Sequence, residues 1–259
     1  MIDVSRLLEV AKKAALQAGE AIMEVYTSGN FGVELKGDNL PLTLADKAAH
    51  AIIVSHLQST GFPVLSEEGS TIPFEERKNW NYFWMVDPLD GTKEFIKRSG
   101  EFTVNIALIH NSIPVAGVIY APVPEILYYG SSETGVYKTE KGKQIRLTFL
   151  PQKIAFEELH KKEQVTVVAS VSHLNNETVT FINQFKNTRS TSMGSSFKLM
   201  LVAEGAADIY PRLAPTMEWD TAAGDALLRS LNKGTYTTDL VTPLTYNKET
   251  LLNPSFVAY

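Results

Sequence analysis

The 259-residue chain contains no cysteine, which excludes disulfide frameworks, thiolate metal sites, iron–sulfur clusters and thiol catalysis. It has no excess of positive charge, and its net charge of −5 disfavours a general nucleic-acid binder. No apolar run in the sequence approaches the ~18 residues of a membrane span, and the first residues lack the pattern of a signal peptide. We therefore expect a soluble, cytoplasmic protein, with peripheral attachment to the inner membrane left open.

The apolar residues, which make up 44% of the chain, divide it into two differently patterned halves. Helical spacing predicts helices over residues 4–26 and 43–57, and short apolar runs predict strands at 63–66, 82–86, 102–110, 114–121 and 126–131. Residues 139–163 are weakly patterned, and strands alternate with helices after residue 165. We place a boundary near Pro151, between an N-terminal α+β subdomain (residues 1–150) and a C-terminal α/β subdomain (residues 151–259).

Acidic residues follow several predicted strands or precede a predicted helix: Glu67, Glu68, Asp87, Asp90 and Asp220. Each alone has a structural interpretation, because acids in turns and at helix starts accept hydrogen bonds from backbone amides. Asp220 fits an N-cap of a helix over residues 221–231, and Asp46, three residues after Thr43, fits a capping box. Taken singly, these acids do not indicate chemistry.

The segment Asp87-Pro88-Leu89-Asp90-Gly91 is harder to explain by capping. Two carboxylates about 4 Å apart repel by about 4 kcal/mol at an effective dielectric of 20, and a shared proton or a divalent cation commonly offsets this repulsion. Pro88 stiffens the turn, and the carbonyl of Leu89 adds a further hard oxygen. All-oxygen ligation favours Mg²⁺, Mn²⁺ or Ca²⁺ over zinc, so this segment predicts a metal site.

Three motifs together resemble the signature of the inositol monophosphatase-like phosphatases, a Mg²⁺-dependent, lithium-sensitive family. They are Glu67-Glu68, the segment DPLDGT at residues 87–92 and the segment WDTAAG at residues 219–224. Their order and separations also match, so the resemblance covers nearly the whole chain. It implies the layered αβαβα sandwich of the sugar-phosphatase type, with the metals between the two halves.

Further segments are similar to the CysQ-type branch of that family: GDNLPLT, GTKEFIKR, EFTVNIA, GSSFK and YPR. Enzymes of this branch are 3′(2′),5′-bisphosphate nucleotidases of sulfur metabolism. The resemblance therefore implies a hydrolase that converts 3′-phosphoadenosine 5′-phosphate to AMP and phosphate by attack of a metal-activated water.

The resemblance also assigns roles to individual residues. Two or three Mg²⁺ ions would be held by four carboxylates and one main-chain carbonyl: those of Glu67, Asp87, Asp90, Asp220 and Leu89. The catalytic residues would be Asp46, Glu67 and Thr92. Thr92 would position the attacking water, Asp46 would accept the Thr92 hydroxyl proton, and Glu67 would help to activate the water.

Substrate binding would involve residues from both halves: Gly91, Thr92, His173, Gly194, Ser195, Ser196, Lys198, Arg212 and Asp220. Because the substrate carries a second phosphate, further cations are expected, and an Arg can bind phosphate through two hydrogen bonds. From the residues alone, Lys198 also fits a solvated helix position. By the same standard His173 fits a loop histidine better than a base-reading residue.

Three other interpretations stay open at this point. The same metal site could serve an inositol monophosphatase or another sugar phosphatase of the family. The chain could also be a non-catalytic sensor that binds metal and nucleotide, or the acids could act as caps only. We expect a small-molecule bisphosphate nucleotide as partner, no nucleic-acid polymer, no transmembrane segment, and a monomer or homodimer.

Overall fold

The computed structural model describes residues 2–35, 41–169 and 175–259. The helices of these ranges are α1 (Val4–Ser28), α2 (Leu44–Gln58), α3 (Phe74–Arg77), α4 (Thr92–Ile96), α5 (Phe156–Leu159), α6 (Asn176–Ile182), α7 (Phe197–Glu204) and α8 (Glu218–Ser230). The first strands are β1 (Glu34–Leu35), β2 (Pro41–Leu42), β3 (Val64–Ser66), β4 (Tyr82–Asp90), β5 (Thr103–His110), β6 (Ile113–Ala121) and β7 (Ile126–Ser131). The remaining strands are β8 (Gly135–Glu140), β9 (Lys143–Arg146), β10 (Val165–Ala169), β11 (Thr188–Ser192), β12 (Tyr210–Arg212), β13 (Thr235–Thr237) and β14 (Phe256–Ala258). Of the helices described, none has the length and apolar character needed to cross a bilayer.

The largest sheet of the described residues has the order β3-β4-β5-β6-β7-β8-β9. Strands β3 and β4 run parallel, and every later neighbour is antiparallel, which confirms the predicted meander. Strand β9 falls in the stretch where the sequence predicts no element. All four of its residues are exposed, so this edge strand has no alternation of apolar and polar residues to reveal it.

Successive residues of β4 point to opposite faces of this sheet. Trp84 and Val86 join one apolar core with α1 and α2, whereas Phe83 and Met85 join a second core with α7 and α8. Residues of a strand alternate between faces, so a strand that is apolar on both faces must be covered twice. The long apolar runs of β4 and β5 thereby place the sheet between two helix layers.

A third apolar core lies beyond α7 and α8. It combines residues of the parallel pair β10–β11 and of the sheet β12-β14-β13 with Phe156 of α5. Phe181 and Ile182 of α6 pack on the same core. The layers thus run helix, sheet, helix, sheet, helix, which confirms the predicted αβαβα architecture. The boundary near Pro151 stays a prediction.

Helices α2 and α8, which carry the predicted site residues Asp46 and Asp220 in their first turns, begin differently from each other. Helix α2 begins after Thr43, which caps it together with Asp46, as the sequence predicts. Helix α8 begins at Glu218, three residues before the predicted start, so Asp220 lies in the first turn and is not the N-cap. The buried Glu218 carboxylate accepts a hydrogen bond from the backbone amide of Asn247 at 2.5 Å. This contact comes from a distant segment, which explains why local sequence did not predict the start.

Candidate active site

The end of strand β4 carries the two aspartates of the DPLDGT segment. The pairing of β4 with β5 is interrupted by an irregularity between Asp87 and Asp90, which turns this end of the strand out of the regular ladder. Asp87 is only 2% exposed, and its Oδ1 accepts a hydrogen bond from the backbone amide of Leu89 at 3.0 Å. The turn therefore buries one carboxylate and brings the other to its rim.

Glu67 reaches the same place from the neighbouring strand. Ser66, the last residue of β3, pairs with Val86, and the amide of Glu67 donates to the carbonyl of Val86 at 3.0 Å. Because β3 and β4 run parallel, Glu67 and Asp87 leave the sheet at the same edge. The structure thus brings together two of the predicted metal-ligating residues by strand pairing.

Asp220 approaches from helix α8 on the opposite side of the cleft. One of its carboxylate oxygens accepts a hydrogen bond from the backbone amide of Met217 at 2.9 Å. The main-chain carbonyl oxygen of Asp220 lies 3.0 Å from the hydroxyl of Ser196. The acid that could be a simple helix-end residue therefore also faces the site.

Burial raises the pKa of Asp87 well above its ordinary value, and the nearby charge of Glu67 and then Asp90 raises it further. Burial also raises the pKa of Asp220, and the charge of Asp90 adds to this effect. Hydrogen bonding with the Glu67 side chain also raises the pKa of Asp87. The protein thus holds more acids in one place than it can ionise without a counter-charge.

The donor set of this cluster fits a hard divalent cation. In the described ranges no three Asp, Glu or His side chains are already close enough together to hold an ion, and Asp90 bonds to the Ser195 and Ser196 hydroxyls. A cation would remove the repulsion that raises the Asp87 pKa, and carboxylate and carbonyl oxygens suit Mg²⁺ or Mn²⁺. The chemistry of the donor atoms and the negative charge of the cluster therefore indicate a site for a divalent cation.

Thr92 and Asp46 meet beside the Leu89 carbonyl. The Thr92 hydroxyl lies 3.2 Å from Asp46 Oδ1 and 3.3 Å from the Leu89 carbonyl oxygen, and its single proton can go to only one of them. The other oxygen of Asp46 accepts from the backbone amide of Thr43 at 2.7 Å. The predicted pair of Thr92 and Asp46 is therefore in hydrogen-bond contact.

Two basic residues line the adjoining cavity of about 130 Å³. Lys198 is 7% exposed, and burial lowers its pKa to about 8. Its ammonium donates to the carbonyl of Ser195 at 2.6 Å. Arg212 donates to the carbonyl of Pro215 at 3.1 Å, and its buried Nε has no hydrogen-bond partner among the described atoms. The interpretation of Lys198 as a solvated residue is therefore wrong.

Glycine is required at two of the predicted site positions, because neighbouring atoms approach the backbone there too closely for a Cβ. Gly91 has a φ of 96° and separates β4 from α4, and a Cβ there would lie 3.0 Å from the Glu101 carbonyl oxygen. The Gly194 amide donates to Glu101 Oε2 at 2.7 Å, and a Cβ on Gly194 would meet the Glu101 side chain at 2.8 Å. Both glycines border the cavity. His173 lies outside the described residues.

Thr103 and Asn105, which are not among the predicted site residues, are buried beside Asp90. Asn105 donates to the Ser196 hydroxyl at 2.8 Å, and the Thr103 and Ser195 hydroxyls lie 2.5 Å apart. The available signal was two polar residues, at positions 103 and 105, alternating with apolar residues at the start of an otherwise apolar strand. Such buried polar groups need partners, and here the partners belong to the site.

The chain is similar to known proteins over nearly its whole length. The model of the inositol monophosphatase family matches residues 3–255. The protein named 3′(2′),5′-bisphosphate nucleotidase CysQ from Salmonella typhimurium is 43% identical over 96% of this chain and 98% of its own length. Its Escherichia coli K12 counterpart of the same name shows the same identity and coverage.

Solved structures are also similar to this chain. The crystal structure of CysQ from Bacteroides thetaiotaomicron superposes with a TM-score of 0.82 at 46% identity, covering 97% of this chain and 96% of that one. An inositol monophosphatase from Anabaena has a TM-score of 0.72 at 24% identity, covering 99% and 91%. The second likeness is one of fold alone.

Proposed function

The chain belongs to the inositol monophosphatase family, and on that premise we propose that it is a 3′(2′),5′-bisphosphate nucleotidase. It removes the 3′-phosphate from 3′-phosphoadenosine 5′-phosphate and releases AMP and phosphate. The observation that carries the proposal is an acidic cluster with raised pKa values bordered by a cavity with two cations, Lys198 and Arg212. Relatives that share 43% of its residues over nearly the whole chain bear that enzyme's name.

The family is metal-dependent, and we propose two or three Mg²⁺ ions for this chain. They would be held by the carboxylates of Glu67, Asp87, Asp90 and Asp220 and by the carbonyl of Leu89. When bound, such ions neutralise the acids, lower the pKa of a water and stabilise charge on the leaving 3′-oxygen. Inhibition by lithium is part of the same proposal.

Thr92 is proposed to orient the attacking water. Its hydroxyl donates toward Asp46 Oδ1 at 3.2 Å, which leaves the oxygen lone pairs free to accept a hydrogen bond from the water. Asp46 is itself held by the backbone amide of Thr43 at 2.7 Å, so its orientation is fixed before substrate arrives. Positioned proton acceptors of this type contribute about 10²–10⁴-fold to rates.

The second phosphate distinguishes the proposed substrate from simple monoesters. Lys198 carries positive charge at neutral pH because its pKa, although lowered, is about 8. The buried Arg212 Nε without a described partner is a donor that a phosphate oxygen would satisfy. We therefore assign these two cations to the 5′-phosphate.

The test is phosphate release from a panel of bisphosphate nucleotides, inositol phosphates and sugar bisphosphates, with Mg²⁺ and with or without lithium. The wild type should prefer 3′-phosphoadenosine 5′-phosphate. The double variant Lys198→Ala, Arg212→Ala should lose far more activity on that substrate than on inositol phosphates. Equal losses on both, or a preference for inositol phosphate, would favour the other phosphatases of the family. Nucleotide binding without phosphate release would favour a sensor.

The proposed substrate is the by-product of sulfate activation and sulfotransfer, which places the activity in sulfur metabolism. We accordingly propose a cytoplasmic location, where that by-product forms. A monomer or homodimer is proposed, since each chain brings its own acids and cations to one cleft. Sedimentation of the purified protein with and without Mg²⁺ would determine the state.

A further inference from the structure

One carboxylate oxygen of Asp90 is surrounded by protein donors. Asp90 Oδ2 accepts from the Ser195 hydroxyl at 2.6 Å and from the Ser196 hydroxyl at 2.9 Å. The side-chain amide of Asn105 approaches it at 3.5 Å. No such hydrogen bond to Oδ1 is found within the described ranges. The two oxygens of this carboxylate therefore have different environments.

Two buried residues of β5 hold these donors in turn. The Asn105 amide donates to the Ser196 hydroxyl at 2.8 Å, and the Thr103 hydroxyl lies 2.5 Å from that of Ser195. Each hydroxyl has one proton. Because Ser195 gives its proton to Asp90, the 2.5 Å contact between Thr103 and Ser195 takes the proton of Thr103. The Thr103 hydroxyl also lies 3.0 Å from Asn105 Oδ1, a longer contact for which it has no second proton. Thr103 then orients Ser195, and Ser195 orients Asp90.

The backbone of Ser195 also adopts a conformation that its surroundings hold in place. Ser195 has a φ of 49°, a left-handed conformation that serine adopts rarely, and such conformations persist where the surroundings fix them. The Lys198 ammonium donates to the Ser195 carbonyl at 2.6 Å, and Gly194 is held by Glu101. Contacts to its backbone as well as to its hydroxyl groups therefore hold the loop formed by Gly194, Ser195 and Ser196 in place.

The same loop reaches the second half of the acidic cluster. The Ser196 hydroxyl lies 3.0 Å from the carbonyl oxygen of Asp220 and 2.9 Å from Asp90 Oδ2. Ser196 is 3% exposed, so neither contact competes with bulk water. One hydroxyl therefore spans the strand that carries Asp90 and the helix that carries Asp220.

We propose that Thr103, Asn105, Ser195 and Ser196 are positioning residues that hold Asp90 Oδ2 and leave Oδ1 for a divalent cation. The inference deepens the proposed function, since it concerns the cation site of that enzyme. It also gives Ser195 and Ser196 a role other than direct substrate contact. Partners that orient metal-binding side chains commonly affect affinity by about 10–100-fold. The affinity of the free protein for the cation should accordingly depend on a hydroxyl at position 103.

The experiment is calorimetric titration of the purified protein with Mg²⁺ alone, at fixed pH and without nucleotide. Thr103→Val removes the hydroxyl at nearly constant shape and should weaken Mg²⁺ binding about tenfold. Thr103→Ser restores the hydroxyl and should bind within twofold of the wild type. Ser230→Ala is the matched control, because Ser230 is a buried serine bonded to the Ala226 carbonyl far along α8 from Asp220.

Ser195→Ala supplies a second test that does not depend on a change inside the sheet. It should weaken Mg²⁺ binding to a similar extent. The double variant with Thr103→Val should lose little more than the larger single change, because both act through one chain of hydrogen bonds. Unchanged Mg²⁺ affinity in a folded Thr103→Val or Ser195→Ala variant would overturn the proposal, as would an equal loss in Ser230→Ala.

Nucleotide turnover is measured separately so that the two proposals can fail independently. If wild-type protein hydrolyses bisphosphate nucleotides while Thr103→Val binds Mg²⁺ normally, the function stands and the positioning role is wrong. If Mg²⁺ affinity falls in the variants although the wild type acts on another phosphate ester, the positioning role stands and the nucleotidase assignment is wrong.

Discussion

Helices α2 and α8 both begin with an acid in the first turn, and in both the acid faces the cleft. Asp46 accepts from the backbone amide of Thr43 at 2.7 Å through one oxygen and lies 3.2 Å from the Thr92 hydroxyl through the other. Asp220 accepts from the backbone amide of Met217 at 2.9 Å, and its pKa is raised by burial and by the charge of Asp90. Asp46 meets a hydroxyl, whereas Asp220 meets carboxylates.

This difference shows that capping and chemistry are compatible roles for one side chain. A carboxylate has two oxygens, so one can satisfy a helix amide while the other serves the site. For Asp46 both roles involve hydrogen bonds, so removing its charge should harm stability and activity together. For Asp220 the second role is electrostatic, so removing its charge should separate the two effects.

The largest effect is expected for Asp220→Asn. The asparagine can still accept from the Met217 amide, but it removes a negative charge from the proposed cation site. Since changes in outer partners of metal sites cost about 10–100-fold, loss of a direct ligand should lower kcat/KM by at least about 100-fold. Because burial and Asp90 raise the pKa of Asp220, the neutral variant should melt in EDTA at the wild-type temperature or above. Nearly normal turnover would remove Asp220 from the site.

Asp46→Asn is expected to harm both properties. One amide oxygen cannot serve the Thr43 amide and the Thr92 hydroxyl at once, so turnover should fall about 100-fold, within the range for a lost proton acceptor. Weakening the cap should also lower the free energy of unfolding by about 1 kcal/mol. Steady-state kinetics and urea unfolding measure the two effects. A variant as stable as the wild type would show that Asp46 does not contribute as a cap.

Features that depend on residues close together in the sequence, such as helix caps and strands, were mostly predicted. The capping box of Thr43 and Asp46 and the strand that leads into Asp87 were predicted from residue type and spacing, and the structure confirms them. The spatial meeting of Glu67 with Asp87 follows from the parallel pairing of β3 and β4. That pairing joins segments about twenty residues apart, and only the family resemblance anticipated its consequence.

Long-range partners account for what the sequence did not predict. The start of α8 depends on Glu218 and the backbone of Asn247, and the environment of Asp90 depends on Thr103 and Ser195. A single sequence without its fold does not say which buried polar residue meets which. The exposed edge strand β9 was missed for a different reason, because all of its residues face solvent.

The third prediction concerns metal-free protein at different pH values. Burial and neighbouring carboxylates raise the pKa of Asp87 and Asp220, so the folded protein keeps protons that the unfolded chain has released. The free energy of unfolding in EDTA should therefore fall as pH rises from about 4 through the raised pKa values, by up to about 1.4 kcal/mol per pH unit for each proton kept. Thermal melts should show a decline of a few degrees, since about 1 kcal/mol moves Tm by about 2–4 °C.

Two controls test whether the acids near α8 cause this decline in stability with pH. Excess Mg²⁺ should raise the melting temperature most at the higher pH values, because binding to the folded state stabilises it by mass action. Asp220→Asn should show a shallower decline than the wild type in EDTA, since one of the mutually repelling acids is gone. A melting temperature that rises with pH in EDTA would contradict the electrostatic account of the cluster.

The smallest effect is expected at a third helix start, which has a capping acid but no site. Asp3 caps α1 by accepting from the amide of Arg6 at 3.0 Å, and the acids proposed to bind cations belong to other segments. Asp3→Ala should lower the free energy of unfolding by about 1 kcal/mol and leave kcat and Mg²⁺ affinity unchanged. It is the matched control for Asp46→Asn, because it removes a cap alone. If Asp3→Ala reduced turnover as much as Asp46→Asn does, the loss of a helix cap would by itself explain the reduced turnover of both variants. The contact between Asp46 and Thr92 would then not be needed for activity.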